Sequence, residues 1–218
     1  MSSQQTARIV NNASRGGYDA VRMEMFAARK QVFIDTLKWE LKTTDGLYEI
    51  DEYDHEDTIY LIVVDTATGG HLGSVRLLPS EGPHLLGDKF AALCSDDVPR
   101  GDDIYEITRM VMSPALSREA ATRVRDRLAI AILEYALAHG VRHYTMMTHM
   151  AFLGAVIATG WDCEPLGMPM EIDGVAVAAL RIDVDAPTLA RLRVQLNLVD
   201  PVLEIDLTKS ALVDLMAF

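Results

Sequence analysis

The stretch YEITRMVMSP, residues 105–114, places an acid and a base, Glu106 and Arg109, three positions apart in a run that is otherwise typical of a β-strand. Residues three apart on a regular strand face opposite sides of the sheet. Either the two side chains therefore act on different faces, or a β-bulge turns them toward one site.

Helical and strand patterns alternate along the chain on both sides of this stretch. Residues 117–140 predict a helix, because a serine suited to capping begins the segment and Gly140 ends it. Further helices are predicted at 18–39, 150–160 and 186–196, and strands at 57–65, 72–78, 104–112, 142–148 and 174–184. The alternation predicts an α/β protein, a three-layer α/β/α sandwich with a central mixed sheet, formed by residues 1–218 as one domain.

The composition narrows the class of protein. A net charge of −12 makes nucleic acid an unfavourable partner, since binding a polyanion depends on Lys and Arg. The polar first residues do not have the apolar core of a signal peptide, and no apolar run approaches the roughly 20 residues that span a bilayer. We expect a soluble, cytoplasmic protein that does not associate with membranes. Cys94 and Cys163 lie too far apart in sequence to indicate a disulfide framework or a zinc cluster.

Several charges fall where the pattern calls for apolar residues. Arg29 lies between Phe26 and Phe33 on the apolar stripe of the first helix, and Arg76 interrupts a strand. Buried arginines require acidic partners. The segment 39–58 is rich in acids and could be a solvated loop, or it could supply those partners. Three arginines on buried elements beside an excess of acids favour one internal polar network, for which Asp51 and Asp54 are the candidate acids.

These residues, taken in order, resemble the acyl-homoserine lactone synthases, which make quorum-sensing autoinducers. The matching features are Arg29 and Phe33 in ARKQVF, Trp39, the acidic segment EIDEYD, Arg76 in GSVRLLP, and the segment YEITRMVM. Each feature is weak alone, and the ordered set is specific. Glu52 departs from the family pattern, since many members have Gly there, and this predicts a differently shaped loop between Asp51 and Asp54.

The resemblance implies an acetyltransferase-like (GNAT-like) fold, in which a splayed or bulged central strand opens a cleft for a thioester arm. It therefore favours a bulge as the explanation for the spacing of Glu106 and Arg109. It also implies two substrates, an acyl thioester and S-adenosylmethionine, whose amine attacks the thioester before its carboxylate closes the lactone and expels methylthioadenosine. S-adenosylmethionine is then a substrate, and no cofactor or metal is expected.

The resemblance also implies roles for individual side chains. Glu106 is the candidate base or amine anchor, and arginines can hold the substrate carboxylate in bidentate pairs. The catalytic candidates are Glu106, Arg109, Arg29, Asp51, Asp54 and Arg76. The candidates for substrate binding are Phe33, Trp39, Thr108, Thr145 and Met147. Thr145 lies near a position where members selective for 3-oxo chains carry Thr, although a Thr on a strand is equally explained by β-propensity.

The helix that begins near residue 118 carries an arginine cluster in an otherwise acidic chain. Arg118, Arg123 and Arg127 are candidates for docking an anionic acyl carrier, either acyl carrier protein or the phosphates of coenzyme A. The alternative is a solvated helix face in which Glu119 and Asp126 pair with these arginines. Related acetyltransferases cradle pyrophosphate in a Gly-rich turn before this helix, and the absence of such glycines favours a carrier protein.

Three other functions are alternatives to the lactone synthase. A GNAT-type acyl-CoA-dependent N-acyltransferase acting on another amine would share the fold and would not need the arginine and aspartate set. A non-catalytic binding protein would tolerate the loss of Glu106. A metal site in EIDEYDHED is the weakest alternative, because the spacing does not match a calcium-binding loop.

Overall fold

A mixed β-sheet forms the centre of the protein. The computed structural model describes residues 5–11 and 19–204. Within them the strands are β1 Gln5–Asn11, β2 Ile59–Asp65, β3 His71–Pro79, β4 Ile104–Met112, β5 His143–His149, β6 Asp162–Pro165, β7 Met170–Ile172, β8 Val175–Asp183 and β9 Leu203–Glu204. The order across the sheet is β6-β8-β5-β4-β3-β2-β1-β9, with β7 paired to β8. The predicted α/β architecture with a mixed sheet is confirmed.

Helices cover both faces of this sheet. The α-helices of the described residues are α1 Asp19–Arg29, α2 Leu85–Lys89, α3 Arg118–His139, α4 Met150–Ile157 and α5 Ala186–Gln195. On one face, Leu128 of α3 joins Leu61 and Val75 of the sheet in the largest apolar core. On the other, Phe26 of α1 packs with Tyr60. Alternate residues of β2 therefore enter opposite cores, as the two-residue repeat of a strand requires.

Two parts of the sequence-based prediction were wrong in detail. The helix predicted over 18–39 is an α-helix only to Arg29, and a π-helix, Lys30–Thr36, continues it; Tyr18 lies outside the described residues. Strands β1, β6, β7 and β9 and the short helix α2 were not predicted. α2, β6, β7 and β9 have five residues or fewer, and segments this short do not carry the periodic apolar pattern from which longer elements are predicted. No helix in residues 5–11 and 19–204 combines the length and apolarity needed to cross a membrane.

The parallel strands β4 and β5 separate part of the way along their length. They pair from Ile104 with His143 to Ile107 with Met146, and no pairing continues beyond that point. β4 nevertheless extends to Met112 and β5 to His149. The two strands therefore diverge toward their carboxyl ends and leave a cleft in the middle of the sheet.

A β-bulge interrupts β4 beside this cleft. Ser74 of β3 pairs with Val111, and Arg76 pairs with Thr108, so β4 has one residue more than β3 over this interval. Arg109 lies within the bulge and has a φ of 52°, in the left-handed region that residues other than glycine rarely adopt. The bulge predicted from the spacing of Glu106 and Arg109 is confirmed.

Close packing of α3 on the sheet gives a test of the fold. Gly73 of β3 has no room for a side chain, because a Cβ there would lie 2.5 Å from Cγ1 of Val124. We expect Gly73→Ala to lower the free energy of unfolding by about 1–3 kcal/mol, the usual cost of overpacking. Urea denaturation measures the change. Gly154→Ala in α4 is the matched control, because its Cβ meets nothing within 4 Å and should leave stability unchanged or slightly higher. Equal effects in the two variants would contradict this packing.

Candidate active site

A network of buried charges lies at the end of α1, beside the cleft. It consists of three arginines and three carboxylates, namely Arg29, Arg76, Arg109, Glu49, Asp51 and Asp54. Positive and negative charges are equal in number within it. Every arginine of the set bonds two different carboxylates, so removal of any one member leaves a buried charge without its full complement.

Arg29 is the member that α1 contributes. Its Nε donates to Oε2 of Glu49 at 2.5 Å, and its two terminal nitrogens donate to the carboxylate of Asp54 at 2.8 and 2.9 Å. Burial alone would lower the pKa of Arg29, but its bonds to Asp54 and Glu49 raise that pKa above its ordinary value. Burial likewise favours protonation of Asp54, and Arg29 outweighs this by holding the Asp54 pKa far below its usual range. Both groups are therefore charged at neutral pH.

Arg76 joins the acidic loop to the sheet. Its Nη1 and Nη2 donate to the carboxylate of Asp51 at 2.5 and 3.2 Å, and its Nη1 lies 3.0 Å from Asp54. Its Nε donates to Oγ1 of Thr108 at 2.9 Å. Thr108, predicted to bind substrate, therefore contacts Arg76 of the network. Asp51 also accepts a bond from the backbone N–H of Tyr53 at 2.9 Å, so the loop is fixed at several points.

Arg109 reaches the same network from the bulge. It donates to Oε1 of Glu49 through Nε at 3.1 Å and Nη2 at 3.0 Å, and to Oδ2 of Asp51 at 2.8 Å. Its guanidinium carbon lies 5.7 Å from the centre of the Phe33 ring. Because the bulge inserts an extra residue, Arg109 meets Asp51 on the face where Thr108 meets Arg76. The bulge therefore lets the acid and the base of YEITRMVM serve one side of the sheet.

Glu106 lies outside the ion-pair network. It is fully buried, and its two oxygens accept the backbone N–H groups of Leu85 at 2.7 Å and Leu86 at 2.8 Å, at the start of α2. Burial raises the pKa of Glu106 to about 7, although the two amides and the charge of Arg76 act to lower it. A carboxyl group with this pKa can take up and release a proton near neutral pH.

Aromatic rings continue from Arg109 toward the surface. Phe33 and Trp39 stack with ring centres 4.9 Å apart, and His149 lies 5.5 Å from Trp39. The π-helix carries Phe33, and the backbone N–H of Trp39 donates to the carbonyl of Phe33 at 2.9 Å. The structure therefore brings together the two predicted aromatic residues and adds His149, the last residue of β5.

Thr145 and Met147 lie on β5, on either side of the last residue that pairs with β4. Thr145 pairs with Glu106 across the parallel strands, and its buried hydroxyl has no hydrogen-bond partner within the described part of the chain. Met147 pairs with Ala179 of β8 and packs at the edge of an apolar cluster that includes Leu86. A polar atom without a partner therefore stands next to the candidate base, and apolar side chains lie beyond it.

The arginines of α3 do not share one environment. Arg118 and Arg123 are exposed, whereas Nε of Arg127 donates to Oε1 of Gln5 on β1 at 3.2 Å. The first turn of α3 follows the carboxyl end of β4, where the cleft opens. Arg118 and Arg123 are thus free to meet a partner at that end of the sheet, and Arg127 is directed toward β1.

Sequence reasoning missed Glu49 and Tyr60. Glu49 bridges Arg29 and Arg109 and is almost completely buried, and the Tyr60 hydroxyl donates to Asp54 at 2.8 Å. A charge count could have found Glu49, because three buried arginines facing only two named aspartates leave one positive charge unmatched. No comparable signal in the sequence indicates Tyr60.

The departure at Glu52 has a structural counterpart. Its carboxylate forms an ion pair with Lys89 of α2, and the Lys89 ammonium lies 5.3 Å from the centre of the Tyr53 ring. Both side chains of the pair are largely exposed, so the pair contributes little to stability. It does connect the acidic loop to the helix that holds Glu106.

Comparisons with known proteins agree on one family. Residues 16–192 match the family model described as autoinducer synthase. The chain is 33% identical over 180 residues to an acyl-homoserine-lactone synthase of Ralstonia nicotianae, which covers 80% of this chain and 87% of that protein.

Solved structures give the same result. The chain is 30% identical to TofI, solved in a ternary complex with an inhibitor and MTA, with a TM-score of 0.71 over 86% of this chain and 96% of that one. A CoA-dependent acyl-homoserine lactone synthase, BjaI, solved with SAM and isopentyl-CoA, is 24% identical, with a TM-score of 0.84 over 93% of this chain and 94% of that one. The similarity to BjaI shows that the two proteins share a fold.

The charge network predicts a large effect of removing one arginine. Arg29→Ala leaves Glu49 and Asp54 buried with less than their full positive complement, and we expect a loss of about 3–5 kcal/mol in the free energy of unfolding. Arg8→Ala is the control, because Arg8 forms an exposed pair with Glu204 whose loss should cost about 1 kcal/mol or less. Thermal and urea unfolding measure both. An Arg29→Ala variant as stable as the control would show that the network does not stabilise the fold.

Proposed function

The chain belongs to the autoinducer synthase family, and from this premise we propose that it transfers an acyl chain from a carrier thioester to the amine of S-adenosylmethionine, closes the lactone and releases methylthioadenosine. One observation carries the proposal: a fully buried glutamate with a pKa near 7 lies beside a neutralised arginine–carboxylate network at a cleft in the sheet. S-adenosylmethionine is consumed as a substrate, and no cofactor is required.

Exposure divides the network into a supporting part and a substrate-facing part. The side chains of Arg29, Arg76, Glu49 and Asp54 are each 1% exposed or less, whereas those of Arg109 and Asp51 are 8% and 15% exposed. Only the last two can meet a ligand without prior movement of the network. We assign Arg109 to the substrate carboxylate, as a bidentate partner, and Asp51 to the substrate amine. The other four hold these two in place.

Glu106 is assigned to the first chemical step. The amine of S-adenosylmethionine is protonated in water and must lose a proton before its nitrogen lone pair can attack the thioester carbonyl. Glu106 takes that proton directly or through a water molecule, and the N–C bond forms as the C–S bond to the carrier breaks. The departing thiolate is then protonated. A pKa near 7 leaves much of Glu106 ionised, and therefore able to act as a base, at neutral pH.

Lactone closure follows on the same substrate. A carboxylate oxygen attacks the γ carbon, the bond from that carbon to the sulfonium sulfur breaks, and neutral methylthioadenosine leaves. Because Arg109 orients the carboxylate, ring closure starts from an ordered geometry. Trp39, which stacks on Phe33, suits an adenine ring or a sulfonium cation.

The acyl chain is assigned to the space between β4 and β5. Thr145, with its unpartnered hydroxyl, can donate to an oxygen at the 3-position of the chain, and Met147 can adapt to a flexible alkyl chain. The carrier approaches the open end of this cleft, where Arg118 and Arg123 are exposed. Acyl carrier protein and acyl-CoA both present negative charge there.

A GNAT-type N-acyltransferase acting on a different amine is the second candidate, because the splayed strands serve any thioester. It would leave the partly exposed pair Arg109–Asp51 without a task. The product distinguishes the two functions: the lactone synthase releases methylthioadenosine, and the alternative enzyme does not.

The first functional prediction concerns methylthioadenosine. Purified protein should release it from S-adenosylmethionine only when an acyl thioester is present, and Glu106→Gln should lower turnover by about a hundredfold or more, since that is the scale for losing a general base. Chromatography with a panel of acyl-CoA and acyl carrier protein substrates measures the rate. No methylthioadenosine across the whole panel would rule out the proposed reaction.

The same variant has a signature in the pH dependence of stability. The pKa of Glu106 is higher in the folded protein than the ordinary 4.5, so protonated Glu106 stabilises the fold below pH 4.5, and this contribution is lost as the pH rises through about 7. Glu106→Gln should not show this loss. Wild-type activity should rise over the same interval as Glu106 ionises. A stable Gln variant with wild-type turnover would exclude Glu106 as the base.

The second functional prediction concerns the carrier. Reversing Arg118 and Arg123 to Glu should raise KM for the acyl donor, more at low salt than at high salt, and leave KM for S-adenosylmethionine nearly unchanged. Arg142→Glu is the control, since Arg142 is 74% exposed and precedes β5 at the opposite end of the sheet. If the carrier docks elsewhere, the enzyme with Arg118 and Arg123 reversed will have the same KM for the acyl donor as the Arg142→Glu control.

A further inference from the structure

The orientation of Glu106 depends on a helix that cannot hold its own position. Each carboxylate oxygen of Glu106 accepts one hydrogen bond from a backbone N–H in the first turn of α2. The donors are Leu85 and Leu86. α2 has five residues, and helices this short do not persist in water without tertiary contacts. Whatever fixes α2 therefore fixes both hydrogen bonds to the candidate base.

His84 provides one such contact, immediately before α2. Its side chain is fully buried, and its Nδ1 lies 2.9 Å from the carbonyl oxygen of Gly82. A carbonyl oxygen only accepts, so Nδ1 carries the proton and, in the neutral ring, Nε2 is the acceptor nitrogen. Nε2 is buried and has no hydrogen-bond partner in the described part of the chain. The ring is thus anchored through one nitrogen, and its other edge serves for packing.

Gly87 receives that other edge of the ring. A Cβ at Gly87 would lie 2.6 Å from both Cε1 and Nε2 of His84, and 2.6 Å from Nη2 of Arg100. Arg100 is itself fixed, because its Nη1 donates to the carbonyl of Ser80 at 3.1 Å. Ser80 in turn bonds the backbone of Gly101 through its hydroxyl. The imidazole therefore fills the space between the Gly82 turn and the backbone of α2, with Arg100 beside it.

We propose that His84 is a positioning residue for acyl transfer: its imidazole, held by the Gly82 carbonyl and packed on Gly87, fixes the two α2 amides that orient the Glu106 carboxylate. The proposal rests on the function proposed above. Movement of α2 would lengthen the hydrogen bonds from both backbone amides to Glu106 together, since Leu85 and Leu86 are consecutive. The carboxylate would then lose its orientation and two of the groups that favour its ionised form.

The charged groups acting on Glu106 define what such a movement would do to its titration. Arg76 on β3 favours the ionised carboxylate, and Asp88 on α2 opposes it. The two amides of α2 favour ionisation, so weakening them raises the pKa further above its ordinary value. The acid limb of the pH–rate profile should then move to higher pH.

Gly87→Ala and His84→Leu test the proposal in the full-length protein. The first introduces a Cβ where the ring lies, and the second removes the donor to Gly82. We expect each to lower kcat by about tenfold or more, to move the acid limb of kcat upward by about one pH unit, and to leave KM for both substrates nearly unchanged. His84→Asn keeps a donor near the position of Nδ1 and should recover part of the rate.

Gly160→Ala is the matched control for simple destabilisation. Its Cβ would lie 2.7 Å from Leu192, in a different part of the fold, so it introduces a comparable clash away from Glu106. It should lower the melting temperature without moving the acid limb. If Gly87→Ala and His84→Leu behave as Gly160→Ala does, the positioning role is excluded.

A double-mutant cycle makes the link to Glu106 specific. In a Glu106→Gln background, Gly87→Ala should change the remaining turnover by about twofold or less, because the group that it misplaces has already lost its function. Independent losses in the double variant would overturn the proposal.

A measurement without substrate separates this proposal from the proposed function. The infrared carboxyl band that Glu106→Gln removes should titrate near pH 7 in the wild type and at higher pH in Gly87→Ala. A band that shifts in protein which releases no methylthioadenosine would support the positioning role and refute the proposed reaction. An unshifted band in enzyme that releases methylthioadenosine would refute the positioning role and support the proposed reaction.

Discussion

Charge balance inside the protein is the constraint on which the rest of the structure depends. Arg29 and Arg76 are buried almost completely, and an unpaired buried charge would cost several kcal/mol. The carboxylates that balance them lie on the loop between the first helix and β2, so the loop must fold back over the sheet. Arg109 adds a third positive charge from β4. One electrostatic requirement therefore joins the end of α1, the acidic loop and two central strands.

The bulge in β4 converts this constraint into a site. On a regular strand Arg109 would face away from Glu106, and its charge would enter the apolar core beneath α3. The extra residue instead turns Arg109 toward Asp51, and its left-handed backbone conformation is the local cost. Its three hydrogen bonds to carboxylates offset that cost. The bulge also lies where β4 and β5 cease to pair, so the cleft and the exposed end of the network coincide.

The sequence predicted those parts of this arrangement in which a charged residue stands where the helix or strand pattern calls for an apolar one. Arg29 on an apolar stripe and Arg76 within a strand both required acids, and the spacing of Glu106 and Arg109 suggested the bulge. The π-helix could not be predicted in this way, because an apolar stripe does not show whether backbone bonds span four residues or five. α2 was missed because its five residues are placed by tertiary contacts, and its role as the donor to Glu106 depends on those contacts.

The separation of Glu106 from the network is what makes it suitable as a base. Glu49 and Asp54 are also buried carboxyl groups, and burial acts on all three in the same direction. In Glu49 and Asp54, direct contact with arginines outweighs burial and lowers the pKa, so they stay ionised and cannot take up a proton near neutral pH. Glu106 accepts hydrogen bonds only from neutral amides, so the effect of burial prevails and its pKa is raised. Had β4 placed Glu106 against Arg29 or Arg109, contact with the arginine would have outweighed the same desolvation and kept Glu106 ionised. The distance of Glu106 from the arginines therefore distinguishes the acid that can transfer protons from those that only hold charge.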